Sequence, residues 1–238
     1  MSPSQLVAIL PEALAAAFPN SRPESRQALA ATATVRTFGV GQPILRQGDE
    51  TSFALILGGH VAFRRTTVDG RQLITLIVTR GALAAFLPLA ARPTSVDAVP
   101  LTPAPAAVWR SAEVRALVAD DPGLAVDILD HVLATFEEIV ERLDGLQYQN
   151  SLRRVARVLH LHSDLFFGEP TVLTRTHLPT MVGTSREMTG RVLRALESRG
   201  LVARVGRSRL RLLDPVGLAR AAEAGLDRPS RQRVAAPH

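Results

Sequence analysis

The chain has 238 residues, 46% hydrophobic and 21% charged, with a formal net charge of +6; that is enough for one large domain or two small ones with their own cores. No apolar run approaches the roughly 20 residues needed to span a bilayer. The absence of cysteine excludes disulfides, thiolate nucleophiles and cysteine-ligated iron–sulfur clusters. The opening stretch "MSPSQLVAILPEALAAAF" places no basic residue before its apolar part, so no secretory signal is expected and a cytoplasmic protein is.

Residues 4 to 33 carry two short helical patterns, the second opening at "RPESRQAL", where Pro23 and Glu24 suit a first turn. From about Val35 to Trp109 the texture changes to short β-prone runs, "SFALILG", "HVAFRRTTV", "QLITLIV" and "PAAVW", separated by glycine turns. Closely spaced strands of this kind predict an antiparallel sandwich or barrel. Within "TTVDGRQLI" the Asp69-Gly70 pair predicts a hairpin whose turn uses positive φ angles.

A long helix is expected from Asp121-Pro122 onward, with Asp120 and Asp121 as capping residues rather than acid–base groups. Leu129, Val132, Phe136, Ile139, Leu143 and Leu146 alternate spacings of three and four, the pattern of a seam that pairs with a second copy of the same helix. Leu124, Ile128 and Val140 form a second apolar set left to face the barrel. Gly145 and "QYQNS" predict the end of this helix and a hinge. The charges segregate here: eight carboxylates and one arginine lie between Asp120 and Asp144, then twelve arginines and four acids between Arg153 and Arg211. Every basic residue is arginine. An acidic middle followed by a basic third points to a separate polyanion-binding module.

That module is expected to contain a helix over 152–163, a short strand at "TVLT", and two helices split by "VGTS". Thr174 is a candidate N-cap for a helix running to Val182, and Gly183 supplies a left-handed turn. Thr184 or Ser185 then caps the next helix. Helix, tight turn and helix is the arrangement that lays its second helix in a major groove. In that second helix Met188, Val192, Leu193 and Leu196 fall inward, while Arg186, Glu187, Gly190, Arg191 and Arg194 fall largely outward. Arginine pairs with guanine and glutamate accepts from the cytosine amino group; Gly190 permits close approach to a backbone. "LVARVGRSRLRLL" predicts two strands about Gly206, a basic wing. The competing view is a solvated helix face with an ion pair between Glu187 and Arg191; the turn, caps, wing and seam together favour DNA reading.

"VGTSREMTGRVLRALESRGLV" resembles the recognition-helix signature of the CRP/FNR superfamily of bacterial transcription regulators, and "GQPILRQGDE", "LILGGHVAF" and "DGRQLITLI" resemble its barrel motifs. The resemblance spans about residues 20 to 213. It implies an α+β protein: an antiparallel β-roll of the cyclic-nucleotide-binding type (a jelly roll) with flanking helices over 1–118, a dimerisation helix and hinge over 119–149, a winged helix-turn-helix over 150–215, and a disordered tail over 216–238. It implies that Arg186, Glu187 and Arg191 read bases, as in members that recognise a TGTGA-like half-site in a palindrome. Thr184, Ser185, Arg194, Arg207 and Arg209 would contact phosphate. The implied partners are double-stranded DNA, a second copy and RNA polymerase, with no membrane. Pro179 departs from the pattern, falling about one turn into the first helix of the motif as read from Thr174, so some distortion is expected there.

Cyclic-AMP-binding members place a glutamate for the ribose hydroxyl and an Arg-Ser pair for the cyclic phosphate after the barrel glycine. Aligned on Gly81, Phe86 takes the glutamate position; aligned on "VPLT", Thr94-Ser95 takes that of Arg-Ser. Ile139 and Val140 take the adenine-contacting Thr-Ser pair. A cyclic phosphate buried without its arginine is an unpaired charge, costing on the order of several kcal/mol. Cyclic AMP is therefore disfavoured, unless the loop shifts and Arg92 compensates. The remaining residues, Leu83, Phe86, Leu87, Leu89, Ile139 and Val140, describe an apolar pocket with Arg92, Thr94 or Ser95 at a polar end. Either a small apolar effector occupies it, or its own side chains fill it and the regulator is constitutive; the second is favoured. Haem is a weaker alternative, because His60 and His131 lack an evident second ligand. No zincin, Walker, GxSxG or dinucleotide motif occurs, so neither catalysis nor a metal or cofactor is expected.

Overall fold

Two helices open the first unit, α1 (Pro3–Ala17) and α2 (Pro23–Thr32), ahead of seven strands. These are β1 (Thr34–Phe38), β2 (Ser52–Ile56), β3 (Val61–Thr66), β4 (Gln72–Val78), β5 (Leu83–Ala84), β6 (Asp97–Pro100) and β7 (Ala104–Arg110), followed by α3 (Ser111–Asp120) and α4 (Pro122–Tyr148). The computed structural model describes residues 3–84, 86–148 and 150–224. Contacts divide the chain into two units, Met1–Arg142 and Leu143–His238, so α4 ends in the second. In the first, two antiparallel sheets of order β1-β7-β2-β5 and β4-β3-β6 face each other. This is the expected roll.

The run "SFALIL" shows no polar alternation because both faces of β2 are covered. Ala54 and Ile56 point between the sheets with Phe38, Phe63 and Leu76. Phe53 and Leu55 point the other way, onto a layer of Leu14, Phe18, Leu124 and Ile128 from the helices. The β3–β4 hairpin forms as expected, closed by the Gly70 N–H on the Thr67 carbonyl at 2.9 Å. Its turn differs in one respect: Gly70 has φ 78° but Asp69 stays out of the left-handed region, so glycine alone carries the reversal.

The loop between α1 and α2 is held on the start of α4 by two buried carboxylates. Asp127 accepts from the Asn20 backbone N–H, its side-chain amide at 2.8 Å and the Ser21 N–H at 3.0 Å. Asp121 accepts from the Arg22 N–H at 2.8 Å and caps α4 through the Gly123 and Leu124 N–H groups. Its carboxyl is held below the ordinary carboxylate range, first by a hydrogen bond from the Ser25 side chain and then, against the opposing effect of burial, by those backbone N–H groups. One turn further on, His131 Nε2 lies 3.0 Å from the Ala17 carbonyl.

The second unit comprises α5 (Ser151–Leu161), α6 (Ser163–Phe167), α7 (Leu178–Val182), α8 (Arg186–Ser198), β8 (Val202–Val205), β9 (Arg209–Leu212) and α9 (Pro215–Ala224). The long helix ends at Tyr148, within the stretch expected to close it, and Asn150 caps α5 by accepting from the Arg153 N–H at 2.9 Å. Three expectations need correction. "TVLT" is not a strand: the N–H groups of Val172 and Leu173 both donate to the Leu165 carbonyl, at 3.0 and 2.8 Å, so the donors a neighbouring strand would take are already paired. The stretch 216–224, expected as disordered tail, is helical. It packs on α5 through buried Leu218, Ala221 and Ala222, with Arg153 Nε donating to the Ala222 carbonyl at 3.2 Å; residues 225–238 lie outside the described residues.

The third correction concerns the start of the helix pair. Thr174 does not cap α7; its N–H donates to His177 Nδ1 at 3.0 Å, closing a turn, and the helix begins only at Leu178. Pro179 thereby falls in the first turn, where its missing N–H would have had no intrahelical partner. The expected distortion has no cause.

Candidate nucleic-acid interface and sensor surface

Gly183 ends α7 at φ 67°, ψ 44°, a left-handed step that a side chain would strain. Ser185, of the two candidate caps, takes the position: its Oγ accepts from the Met188 N–H at 3.1 Å. Thr184 is half-buried, and its N–H is spent on the Pro179 carbonyl at 3.2 Å. These two constraints fix the rotation of α8. Val192, Leu193 and Leu196 turn inward, joined by Thr189, which is buried and bonds the Ser185 carbonyl, while Met188 is only half-buried. Arg186, Glu187, Arg191 and Arg194 are exposed on the other side.

The ion pair of the competing view is present: Arg191 Nη2 lies 3.0 Å from Glu187 Oε1. Both partners are largely exposed, so the pair contributes only about 0.3–0.5 kcal/mol and is readily exchanged for base edges. Gly190 is the more informative residue. A Cβ there would meet nothing within 4 Å, yet a helix-interior glycine costs about 1 kcal/mol relative to alanine. The chain's own packing gives no reason for it.

Beside Gly190 opens a cleft of about 290 Å³ lined by Arg175, Thr176, Pro179, Arg186, Thr189 and Leu193. Arg175 and Thr176 escaped the sequence reading; their only signal is "TRT" immediately before the helix pair. Arg175 donates from Nε to the Arg207 carbonyl at 2.9 Å and from its backbone N–H to the Ser208 carbonyl at 3.0 Å. The wing itself pairs Val202 with Leu212 and Val205 with Arg209 in antiparallel register, turning at Gly206 with φ 59°. Arg207 is exposed at its tip. Arg209 is paired with Glu169, so this phosphate candidate is partly neutralised.

The expected sensor residues take several different positions. Leu83 is buried on the helix-facing side of its sheet, and Phe86 and Leu89 pack on the same cluster, as do Leu117 and Val118 of α3. Leu83 is fully covered there, whereas Phe86 and Leu89 are half-buried. Leu87 is half-buried. Ala91, at φ 53°, reverses the chain after a short turn over Leu87–Ala90 and leaves Arg92 exposed. Thr94 is buried and held by backbone bonds, donating to Asp49 and accepting from Gly48 at 2.8 and 2.9 Å; Ser95 is exposed. Ile139 and Val140 are exposed on α4, which also corrects the expectation that Val140 faces the barrel.

Along α4 the outward apolar residues are Val126, Leu129, Leu133, Phe136, Ile139, Val140 and Leu143. Val132 is half-buried, and the side chain of Leu146 lies outside the described residues. Among the described residues no cluster of three or more histidines and acids is placed to hold a metal, and no helix is long and apolar enough to cross a membrane.

Residues 35–121 match the model of the cyclic nucleotide-binding domain, and residues 153–221 that of the Crp-like helix-turn-helix domain. Among solved structures, the c-di-GMP responsive global regulator CLP of Xanthomonas campestris is similar with a TM-score of 0.67 at 21% identity, over 81% of this chain and 100% of that one. A putative crp/fnr-family transcriptional regulator of Eubacterium rectale gives 0.70 at 16% identity, over 84% and 94%. A CRP-family transcriptional regulator of Thermus thermophilus gives 0.64 at 21% identity, over 81% and 98%. No curated protein matches the chain in sequence.

Proposed function

Because this chain belongs to the CRP/FNR superfamily of transcription regulators, we propose that it binds a palindromic DNA site as a homodimer. Arg186, Glu187 and Arg191 read a TGTGA-like half-site, and Arg194, Arg207 and the Thr184–Ser185 turn meet phosphates. The observation that carries this reading is the exposed Arg–Glu–Arg face of a helix whose rotation is fixed by Gly183 and the Ser185 cap. The symmetry partner is a second copy joined along α4, and RNA polymerase is the downstream partner carried over with the family. Arg186→Ala should weaken binding to the cognate duplex by about 1–3 kcal/mol and relax preference at one base pair, measured by fluorescence anisotropy on a panel of single-substituted duplexes. Equal weakening on every duplex would remove Arg186 from base reading.

The input side supports a regulator that does not answer to cyclic AMP. Phe86 packs half-buried on the helix-facing core, and Thr94 is tied into the backbone of its own loop. No small apolar effector is needed to fill the space its own side chains occupy, so we favour constitutive binding over an effector switch. A DNA titration of the purified protein with and without cyclic AMP should give superimposable curves. A sharper or tighter curve with the nucleotide overturns this part of the proposal and leaves the DNA-reading part untouched.

A further inference from the structure

We propose that Glu197 is a positioning residue for DNA binding: through Arg204, and jointly with Arg175, it holds the wing at one height beside α8 so that Arg207 reaches a phosphate. The inference rests on the DNA-binding reading above. Glu197 is out of place on charge alone. It is an acid in the last turn of α8, facing the negative end of the helix dipole, within a module that binds a polyanion. Yet its carboxylate is used fully: Oε1 accepts from the Arg204 N–H at 2.9 Å and Nε at 2.8 Å, while Oε2 faces Nη2 at 2.7 Å. A bidentate arginine–carboxylate pair of this kind fixes orientation as well as distance. The Glu197 carboxyl lies below the ordinary range, first through the Arg204 side chain, against the effect of its burial, and with a contribution from the charge of Arg175.

Arg175 supplies the second hold. It lines the cleft beside Arg186 and Gly190, and it bonds the Arg207 and Ser208 carbonyls of the wing turn. β8 is thus fixed from α8, and the wing tip from Arg175, three residues before α7. The cleft and the wing arginine become one surface of set geometry.

Charge and clamp predict opposite signs. Removing a carboxylate from a polyanion-binding module should tighten binding if only charge matters. If Glu197 positions the wing, Glu197→Met should instead weaken binding severalfold and reduce the dependence of log affinity on log salt by about 0.9, the value of one lost phosphate contact. Arg207→Ala should do the same in the wild type and add nothing in Glu197→Met, whereas Arg186→Ala should keep its full effect in both. Arg175→Lys keeps the charge but has no Nε for the Arg207 carbonyl; it should reproduce the coupling to Arg207, and it decides the matter if Glu197→Met does not fold. The measurement is duplex binding by anisotropy across a salt series. Binding by Glu197→Met as tight as wild type or tighter overturns the clamp, as do independent, multiplying effects of Glu197→Met and Arg207→Ala. Failure of the wild type to prefer a palindrome over a scrambled duplex would instead overturn the DNA-reading proposal.

Discussion

Phe136→Glu is expected to give monomers in analytical ultracentrifugation and to abolish tight binding to a palindrome. Among the exposed apolar residues of α4, Val126, Leu129, Leu133, Phe136, Val140 and Leu143, with Ile139 beside them, step by three and four without a break, the spacing expected of a coiled-coil seam. Phe136 lies mid-stripe and is 61% exposed, while Leu124 and Ile128 on the opposite side are buried in the first unit. An isologous seam presents each substitution twice. Two glutamates would have to be desolvated where two phenylalanines were, each without a counter-charge, at several kcal/mol or more in total. A monomer then contacts one half-site only. Losing the linked second contact forfeits roughly 10²–10⁴ in apparent affinity, with the half-site preference itself unchanged. A dimer of unaltered strength would place the interface elsewhere.

The register of that stripe shows what periodicity alone leaves open. The pattern 129, 132, 136, 139, 143 and 146 shares Leu129, Phe136, Ile139 and Leu143 with the exposed stripe, but Leu133 is exposed where Val132 is half-buried, and Val140 is exposed alongside Ile139. Leu133 and Val132 are equally apolar, and only the docking of α4 on the loop between α1 and α2 decides which faces out. The Gly183 turn and the Ser185 cap were legible because each depends on residues within four positions. The true start of α7 was not, since it depends on a histidine ring accepting from Thr174 rather than on propensity. Nor was the fate of "TVLT", whose β-branched residues suit a strand but whose N–H groups find the Leu165 carbonyl first. The composition of 216–224 suggests a tail; the buried trio Leu218, Ala221 and Ala222, spaced by three and one, marks the face that α5 covers.

The same distinction separates the two ends of the molecule. At the output end, side chains act where they stand on a helix, and helix periodicity with local caps places them. At the input end, Phe86 replaces a polar residue, and a replacement shows what is missing without showing where the new side chain goes. Phe86 packs half-buried on the helix-facing cluster, which also takes Leu117 and Val118 of α3, an element the sequence reading passed over. An apolar substitution in a binding loop has two outcomes, a greasier pocket or a filled one. The half-burial of Phe86 against the helix-facing cluster supports the second.

Gly123→Ala provides the sharpest test of how α4 is held. In an ordinary helix the change is favourable by about 1 kcal/mol. Here a Cβ would stand 2.0 Å from the Asn20 carbonyl oxygen and 2.7 Å from its carbon, and both are backbone atoms that cannot rotate aside. Relief requires the loop to move, and moving it breaks the bonds from Asn20 and Ser21 to Asp127 and from Arg22 to Asp121. Overpacking costs about 1–3 kcal/mol, and each buried carboxylate left short of donors adds about 1–3 more. The thermal unfolding midpoint of the full chain should therefore fall by many degrees, against the direction set by helix propensity; a raised midpoint would show that the loop yields freely. A variant that survives by rotating α4 away from Asn20 would also turn the Phe136 stripe. In that case dimerisation should weaken although no residue of the seam has changed, because the face that α4 offers outward is set by the contacts that fix its inward side.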